Sequence, residues 1–148
     1  MDSILQYDDD YFMQQALNEA ELAKDRGEVP VGAVIVADNQ IIARAHNLTE
    51  TLNDVTAHAE MQAITAAADA IGGKYLKDCT MYVTMEPCQM CAGALYWTQI
   101  KRVVFGASDI KRGYRNMGTQ IHPKTEVTYG VLEEECSSIV KDFFKKKR

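Results

Sequence analysis

The sequence predicts an α/β sandwich, a fold in which helices cover both faces of a sheet. Short apolar stretches of β type alternate with longer stretches of helical spacing along the chain. The 148 residues, 47% of them apolar, are enough to bury the core that such a sandwich needs. No repeat, low-complexity segment or linker divides the sequence, so we expect one domain over residues 1–148.

The predicted elements are separated by recognisable helix starts and stops. They are a helix over residues 8–26, strands over 31–37 and 41–47, a helix over 57–71, a strand over 80–85, a helix from 87, strands over 102–107 and 126–130, and a helix over 131–144. Gly27 and Gly72 are natural helix stops. Thr56 is a favourable N-cap for the second helix, and Pro87 suits the first turn of the third.

The charge is unevenly distributed along the chain. The net charge of −5 argues mildly against a polyanionic partner, but the last third of the chain is basic. Two alternatives remain for these basic residues: solvated faces with a polar tail, or an edge that contacts phosphates. They form two clusters, the first with Lys101, Arg102, Lys111, Arg112 and Arg115, the second with Lys141, Lys145, Lys146, Lys147 and Arg148.

The cysteines and the N-terminus predict a cytoplasmic protein that does not act at a membrane. The opening MDSILQYDDD has no basic region followed by an apolar stretch, and no apolar run approaches the ~20 residues of a membrane span. Cytoplasmic thiols stay reduced, so we expect no pair of disulfides among the four cysteines. Cys79 and Cys136 are expected to be small buried residues, whereas Cys88 and Cys91 form a local pair.

Two short stretches, TAHAEMQAI (residues 56–64) and MEPCQMC (residues 85–91), carry a potential zinc site. Cys88 and Cys91 stand three residues apart, so both sulfurs lie on one face of a helix and reach one ion. His58, at the start of another helix, supplies a third ligand of the kind that zinc prefers. Each motif alone has a plainer interpretation: His-x-Glu as an ordinary helix start, Cys-x-x-Cys as a redox pair.

The number of ligands points to catalysis, because structural zinc sites are closed by four protein ligands. No second Cys-x-x-Cys or His-x-x-x-His is available to complete this one, so three ligands leave a position for water. Glu60, two residues after His58, is placed to move the protons of that water. The predicted chemistry is hydrolysis at an amidine-like carbon with loss of ammonia. The combination His-x-Glu…Pro-Cys-x-x-Cys matches the signature of zinc-dependent nucleobase deaminases.

Over nearly its whole length the chain resembles the cytidine deaminase-like superfamily, and within it the bacterial tRNA-specific adenosine deaminases. The similar segments are EVPVGAVIV, ARAHN, TAHAEMQAI, YVTMEPCQMCAGAL, KRVVFGA, GVLEEEC and DFFKKKR. The resemblance implies a three-layer α/β/α sandwich with a five-stranded mixed sheet. It also implies a homodimer, with one Zn²⁺ per subunit, that converts adenosine to inosine at the wobble position of a tRNA anticodon; no DNA partner is expected.

The resemblance also implies roles for individual residues. His58, Cys88 and Cys91 would bind zinc, and Glu60 would be the proton shuttle. Contacts with the substrate would come from Asn47 to the purine, from Val31 as an apolar wall, from the backbone near Ala59 and the Glu86–Cys88 segment, and from Phe144 and Lys145 to the flanking nucleotides. For Asn47 a turn residue is the alternative, and at least one of Phe143 and Phe144 is expected to be a core residue.

Two departures from the family pattern keep other functions open. The segment Ser108–Thr125, with KRGYRNMG, is shorter than in well-known members and would lie near the substrate. The stretch GALYW (residues 93–97) resembles the guanine deaminases, so a free purine deaminase is the alternative enzyme. The alternative from another class is a zinc-stabilised binding module without turnover, against which Glu60 argues, because a structural zinc site gains nothing from an unligated carboxylate.

Overall fold

The chain forms three layers, with one sheet between two pairs of helices, in a computed structural model that describes residues 7–147. In chain order the elements are α1 (Asp9–Asp25), β1 (Gly32–Ala37), β2 (Gln40–His46), α2 (Ala59–Ile71), β3 (Cys79–Met85), α3 (Gln89–Thr98), β4 (Arg102–Ala107), a 3-10 turn (Tyr114–Asn116), β5 (Glu126–Tyr129) and α4 (Glu133–Lys146). Residues 1–6, part of the N-terminal stretch in which no secretory signal is predicted, lie outside the described residues, as does Arg148 of the basic tail. No helix within residues 7–147 has both the length and the apolar character needed to cross a lipid bilayer.

The sheet has five strands in the order β2-β1-β3-β4-β5 and is mixed. β1 pairs antiparallel with β2 and with β3, whereas β3 pairs parallel with β4 and β4 parallel with β5. The predicted three-layer sandwich with a five-stranded mixed sheet is therefore confirmed. Asp38 and Asn39 turn the chain between β1 and β2 with positive φ angles of 54° and 60°, which suits the right-handed twist of a hairpin.

Side chains of the central strand β1 alternate between two apolar cores. Ala33 and Ile35 belong to the core under α2 and α3, whereas Val34 and Val36 belong to the core under α1 and α4. Because both faces are covered, the strand is apolar at every position, as its unbroken run of apolar residues predicts. Small residues bring the helices close: a Cβ on Gly32 would collide with the backbone of α1 at Ala16 O.

The helices that carry the metal motifs begin later than the sequence predicts. α2 begins at Ala59 with His58 as its N-cap, so the assignment of Thr56 as N-cap is wrong. The N–H and hydroxyl of Thr56 instead donate to Asp54 Oδ1, at 2.8 and 2.7 Å, and this local turn keeps the chain out of the helix. α3 likewise begins after Cys88, its N-cap, rather than at Pro87. α4 is shifted by two residues relative to the prediction.

Glu28 is a fully buried carboxylate that fastens the loop between β2 and α2. Its Oε1 accepts a hydrogen bond from the N–H of Glu50 at 3.0 Å, and its Oε2 accepts from the N–H and the hydroxyl of Thr51, both at 2.6 Å. Burial acts to raise the pKa of Glu28, but these hydrogen bonds outweigh it and hold that pKa below its ordinary value. The carboxylate therefore replaces hydrogen bonds that an irregular loop would otherwise make to water.

We expect Glu28→Gln to loosen this loop, because the amide presents an N–H₂ group where the loop N–H groups need an acceptor. The free energy of unfolding in urea should fall by about 1–3 kcal/mol, and amide hydrogens of Glu50 and Thr51 should exchange faster. The pKa of Glu28 in the folded protein lies below its ordinary value, so the difference in stability should be complete at neutral pH and shrink as the pH falls through that lowered pKa.

The matched control is Glu50→Gln, which changes an exposed carboxylate on the same loop. It should alter the free energy of unfolding by no more than about 0.5 kcal/mol. Equal stability and equal amide exchange in the two variants would show that Glu28 does not fasten the loop.

Candidate metal centre and its pocket

The side chains of His58, Cys88 and Cys91 meet at one point. Nδ1 of His58 lies 3.6 Å from Sγ of Cys88 and 3.5 Å from Sγ of Cys91. The three ligand atoms all lie within 4.8 Å of one another, and no other group of this kind is found in residues 7–147. The sequence prediction that two helix starts bring these residues together agrees with this geometry.

The separations between these atoms fit a zinc ion. With Zn–S near 2.3 Å and Zn–N near 2.0–2.1 Å, neighbouring N and S ligands of a tetrahedral ion lie about 3.6 Å apart. The two measured separations of 3.5 and 3.6 Å match this edge. Thiolate and imidazole are also ligands that zinc accepts readily. Three protein ligands leave one position of the tetrahedron for a small molecule, as in catalytic zinc sites.

The N-termini of α2 and α3 both face this point. His58 and Cys88 are the N-caps, and neither side chain forms a capping hydrogen bond. The first N–H groups of both helices therefore have no intrahelical partner, and the positive ends of two helix dipoles lie beside the ligands. This environment favours thiolates and other anions in the space between the helices.

Hydrogen bonds within the group already distinguish the two cysteines. A hydrogen bond from the side chain of Cys91, with further ones from His58 and from the N–H of Cys91, holds the pKa of Cys88 well below its ordinary value. The interaction with Cys88, together with burial, raises the pKa of Cys91. Both cysteines bind a cation as thiolates, so any proton that the pair holds must be released on metal binding.

Glu60 lies beside the three ligands without belonging to their group. Its side chain is 4% exposed and lines the cavity next to His58. Burial raises the pKa of Glu60 to about 7, while the hydrogen bond with Cys91 acts in the opposite direction. A buried carboxyl group that neither binds the ion nor forms an ion pair is suited to exchange protons with a molecule in the cavity.

A cavity of about 270 Å³ opens beside the ligands. It is lined by the segment before β1, the loop between β2 and α2, the start of α2, the β3–α3 junction, the loop after β4, and α4. The carboxyl ends of the parallel strands β3 and β4 lie at this edge, the usual place for a ligand in such sheets. Ligand pockets usually measure ~300–1,000 Å³, so this cavity suits one ring system rather than a whole nucleotide.

Of the five single residues predicted to contact the substrate, four line this cavity, namely Val31, Asn47, Ala59 and Phe144, and so does the predicted Glu86–Cys88 segment. Asn47 is 7% exposed, and its Nδ2 lies 3.5 Å from the hydroxyl of Thr49. Its amide therefore reaches the cavity with hydrogen-bonding capacity to spare. Lys145, the fifth, is exposed on α4 and does not line the cavity.

The two phenylalanines of α4 have different surroundings. Phe143 is 8% exposed and buried in the protein, whereas Phe144 is 48% exposed and lines the cavity. The prediction that at least one of them is a core residue is therefore confirmed for Phe143. Cys79 and Cys136 are likewise buried, and all four cysteines are free thiols.

The loop after β4 is locked to the metal-binding segment by Glu86. This buried carboxylate accepts hydrogen bonds from the N–H of Asp109 at 3.0 Å and from the backbone and guanidinium of Arg115 at 3.1–3.2 Å. The N–H of Tyr114 donates to the carbonyl of Pro87 at 2.9 Å. A Cβ on Gly113 would collide with the Glu86 carboxylate, so only glycine allows this close approach.

Several residues that line this cavity are not among the predicted substrate contacts. Thr49 and Asp109 line it, yet neither belongs to a recognisable motif, and Arg112 was named only as a member of the first basic cluster. The available signal was weak: Ser108–Thr125 was expected near the substrate, but nothing in its sequence shows which of its side chains turn inwards.

Two arginines of the first basic cluster are committed to the fold and do not form a phosphate-contacting edge. The guanidinium of Arg102 forms two hydrogen bonds of 2.8 Å with the Asp9 carboxylate. That of Arg115 pairs with Glu86 and stacks over Tyr129, with 4.6 Å to the ring centroid. For these two residues the phosphate interpretation is wrong, because carboxylates far away in the sequence neutralise them.

Comparison with known proteins agrees with this site. Residues 6–107 match the family model described as the cytidine and deoxycytidylate deaminase zinc-binding region. The tRNA-specific adenosine deaminase of Bacillus subtilis is 45% identical over 95% of this chain and 91% of its own length. A structure from a study of A-to-I editing by tRNA:A34 deaminases at the wobble position of transfer RNA is 44% identical, with a TM-score of 0.82, over 87% of this chain and 98% of its own.

A guanine deaminase structure from Bacillus subtilis is also similar, although over less of the chain. It is 41% identical, with a TM-score of 0.66, over 69% of this chain and 66% of its own. The matched family region contains His58, Glu60, Cys88 and Cys91, so the whole candidate centre falls within it. The chain belongs to the cytidine and deoxycytidylate deaminase family of zinc-binding enzymes.

Proposed function

We propose that the protein is a zinc-dependent hydrolytic deaminase that converts adenosine to inosine at the wobble position of a tRNA anticodon. The observation that carries the proposal is Glu60, a buried and unligated carboxyl group beside a three-ligand zinc site in a cavity of about 270 Å³. The tRNA substrate is supported by the tRNA-specific adenosine deaminases that match this chain over nearly its full length.

The proposed ligands of the zinc ion are His58, Cys88 and Cys91. When bound there, zinc supplies a Lewis acid that makes water nucleophilic at neutral pH. Glu60 takes a proton from the attacking water and delivers it to the purine ring nitrogen next to the reacting carbon. It then takes the second proton from the oxygen that has added to that carbon and passes it to the exocyclic amine. The carbon–nitrogen bond breaks, ammonia leaves, and the carbonyl group of inosine forms. The walls of the cavity hold the base in place and exclude bulk water.

The base and the neighbouring nucleotides are held by groups from four parts of the chain. Asn47 offers a donor and an acceptor to a ring edge, and Val31 forms an apolar wall. The uncapped start of α2 at Ala59 presents backbone N–H groups. Phe144, half exposed at the mouth of the cavity, is placed to stack on a nucleotide, and Lys145 follows it on the exposed face of α4.

We propose further that residues 1–148 form a single zinc-dependent deaminase domain, which acts in the cytoplasm as a homodimer, on tRNA rather than DNA. Tyr96 and Trp97 of α3 are 38% and 74% exposed, so they offer apolar surface that a second subunit would cover.

A free purine base, guanine in particular, is the second candidate substrate. It is favoured by the guanine deaminase structure that is 41% identical over 69% of this chain. Phe144 and the basic end of α4 favour the tRNA substrate, because a free base fills the cavity and needs no contacts outside it.

One assay separates the two substrates. Ammonia release is measured from an adenosine-containing tRNA anticodon stem-loop and, in parallel, from free guanine, adenine and cytidine. We expect efficient deamination of the stem-loop, with conversion of its wobble adenosine to inosine, and little activity on the free bases. Efficient release from guanine without reaction of the stem-loop would contradict the proposed substrate.

Replacement of Glu60 tests the proton shuttle. Glu60→Ala and Glu60→Gln should keep the zinc content and the fold but lower kcat on the stem-loop by at least about 10²–10⁴-fold, the usual contribution of general acid–base catalysis. Metal analysis and the thermal midpoint, measured on the same samples, exclude a loss of zinc or of structure. Ammonia release at the parental rate would remove Glu60 from the mechanism.

A further inference from the structure

We infer that Arg112 is a specificity-determining residue, which binds a backbone phosphate next to the target nucleotide and so favours a polynucleotide over a free base. This inference rests on the proposed function and names a contact that the family chemistry does not require. Arg112 lines the cavity, yet it is exposed, so its side chain lies at the mouth rather than inside.

The guanidinium of Arg112 is free, unlike those of its neighbours in sequence and space. Within residues 7–147 it has no hydrogen-bond or ion-pair partner, whereas Arg102 and Arg115 are held by carboxylates. Two acidic residues that line the same cavity have other partners: Asp109 Oδ1 accepts the backbone N–H groups of Lys111 and Arg112, at 3.2 and 3.0 Å. Glu86 is engaged by Arg115.

The backbone that carries Arg112 is fixed on both sides. Asp109 N–H is held by Glu86 on one side, and Gly113 pairs with Cys88 on the other. The N–H of Gly113 also donates to the carbonyl of Asp109 at 2.8 Å, which closes the turn. The backbone at Arg112 is therefore fixed relative to the proposed metal ligand Cys88. Such preorganisation lowers the entropic cost of a contact made there.

A phosphate is the group that fits this position. The target base occupies a cavity too small for a nucleotide, so the sugar and phosphates of its neighbours must lie at the mouth. A guanidinium forms two parallel hydrogen bonds to a phosphate and stays charged at any working pH. A free base has no phosphate and gains nothing from Arg112, so the contact raises the preference for RNA.

The test uses full-length variants with Arg112→Ala, Arg112→Lys and Lys74→Ala. Lys74 lies just beyond the C-terminal end of α2, about 20 Å from the cavity. Lys74→Ala therefore serves as a control that removes one positive charge far from the cavity. Binding of the stem-loop is measured by fluorescence anisotropy over a range of salt concentrations, in a Glu60→Ala background that prevents turnover. Deamination kinetics are measured without that substitution.

For Arg112→Ala we expect Kd and KM for the stem-loop to rise roughly tenfold, as for one lost charge-assisted contact, with kcat within about twofold of the parent. The slope of log Kd against log salt should fall by about 0.7, the value for one phosphate contact on a single strand. Arg112→Lys should keep most of this slope but bind more weakly than the parent. Lys74→Ala should behave as the parent.

Equal binding and equal salt slopes in Arg112→Ala and Lys74→Ala would overturn the inference. So would a loss of kcat in Arg112→Ala with unchanged binding, because Arg112 would then act on the reacting base. If the parent itself does not deaminate the stem-loop, the proposed function fails and the inference falls with it. The parent's own reaction therefore tells the two failures apart.

Discussion

The meeting of two uncapped helix N-termini is the constraint on which the rest of the site depends. β2 and β3 each pair antiparallel with β1, so they run in the same direction and end at the same edge of the sheet. The helices that follow them, α2 and α3, lie on one face and therefore begin near each other. His58 and Cys88 occupy the two N-cap positions. If either side chain capped its helix with a hydrogen bond, its imidazole or thiol would not be available to bind a metal ion.

Three buried glutamates near the candidate metal centre have different roles. Glu28 fastens the loop that carries Asn47, and Glu86 fastens the loop that carries Arg112; both carboxylates accept several hydrogen bonds, which hold their pKa values below the ordinary range although burial acts against this. Glu60 has no comparable set of donors, and burial raises its pKa to about 7. A carboxylate that accepts several hydrogen bonds stays ionised and holds its loop in place, whereas the buried Glu60, with fewer hydrogen bonds, is suited to exchange protons.

Local patterns predicted well those features that depend on short-range geometry. The i, i+3 spacing of Cys88 and Cys91 predicts two sulfurs near one point, and the apolar runs predict buried strands. The structure shows both. The start of α2 was misplaced because Asp54 forms a turn with Thr56 that competes with the helix. The ion pair of Arg102 could not be predicted from the sequence, because its partner lies 93 residues away along the chain. Arg112 and Arg115 stand in the same short loop, and nothing in their sequence context shows that the guanidinium of Arg115 is paired whereas that of Arg112 is free.

The chemistry and the choice of substrate reside in different parts of the chain. The matched family region ends at residue 107 and holds the proposed zinc ligands, Glu60 and most of the residues that line the cavity. Beyond residue 107 the cavity is lined by Asp109, Arg112, Val140 and Phe144. A deaminase centre reads only the small ring inside the cavity, so it treats a free base and a flipped nucleotide alike. Discrimination between them must come from groups that contact the sugar and phosphates, which lie outside the cavity. Those groups stand on the loop after β4 and on α4.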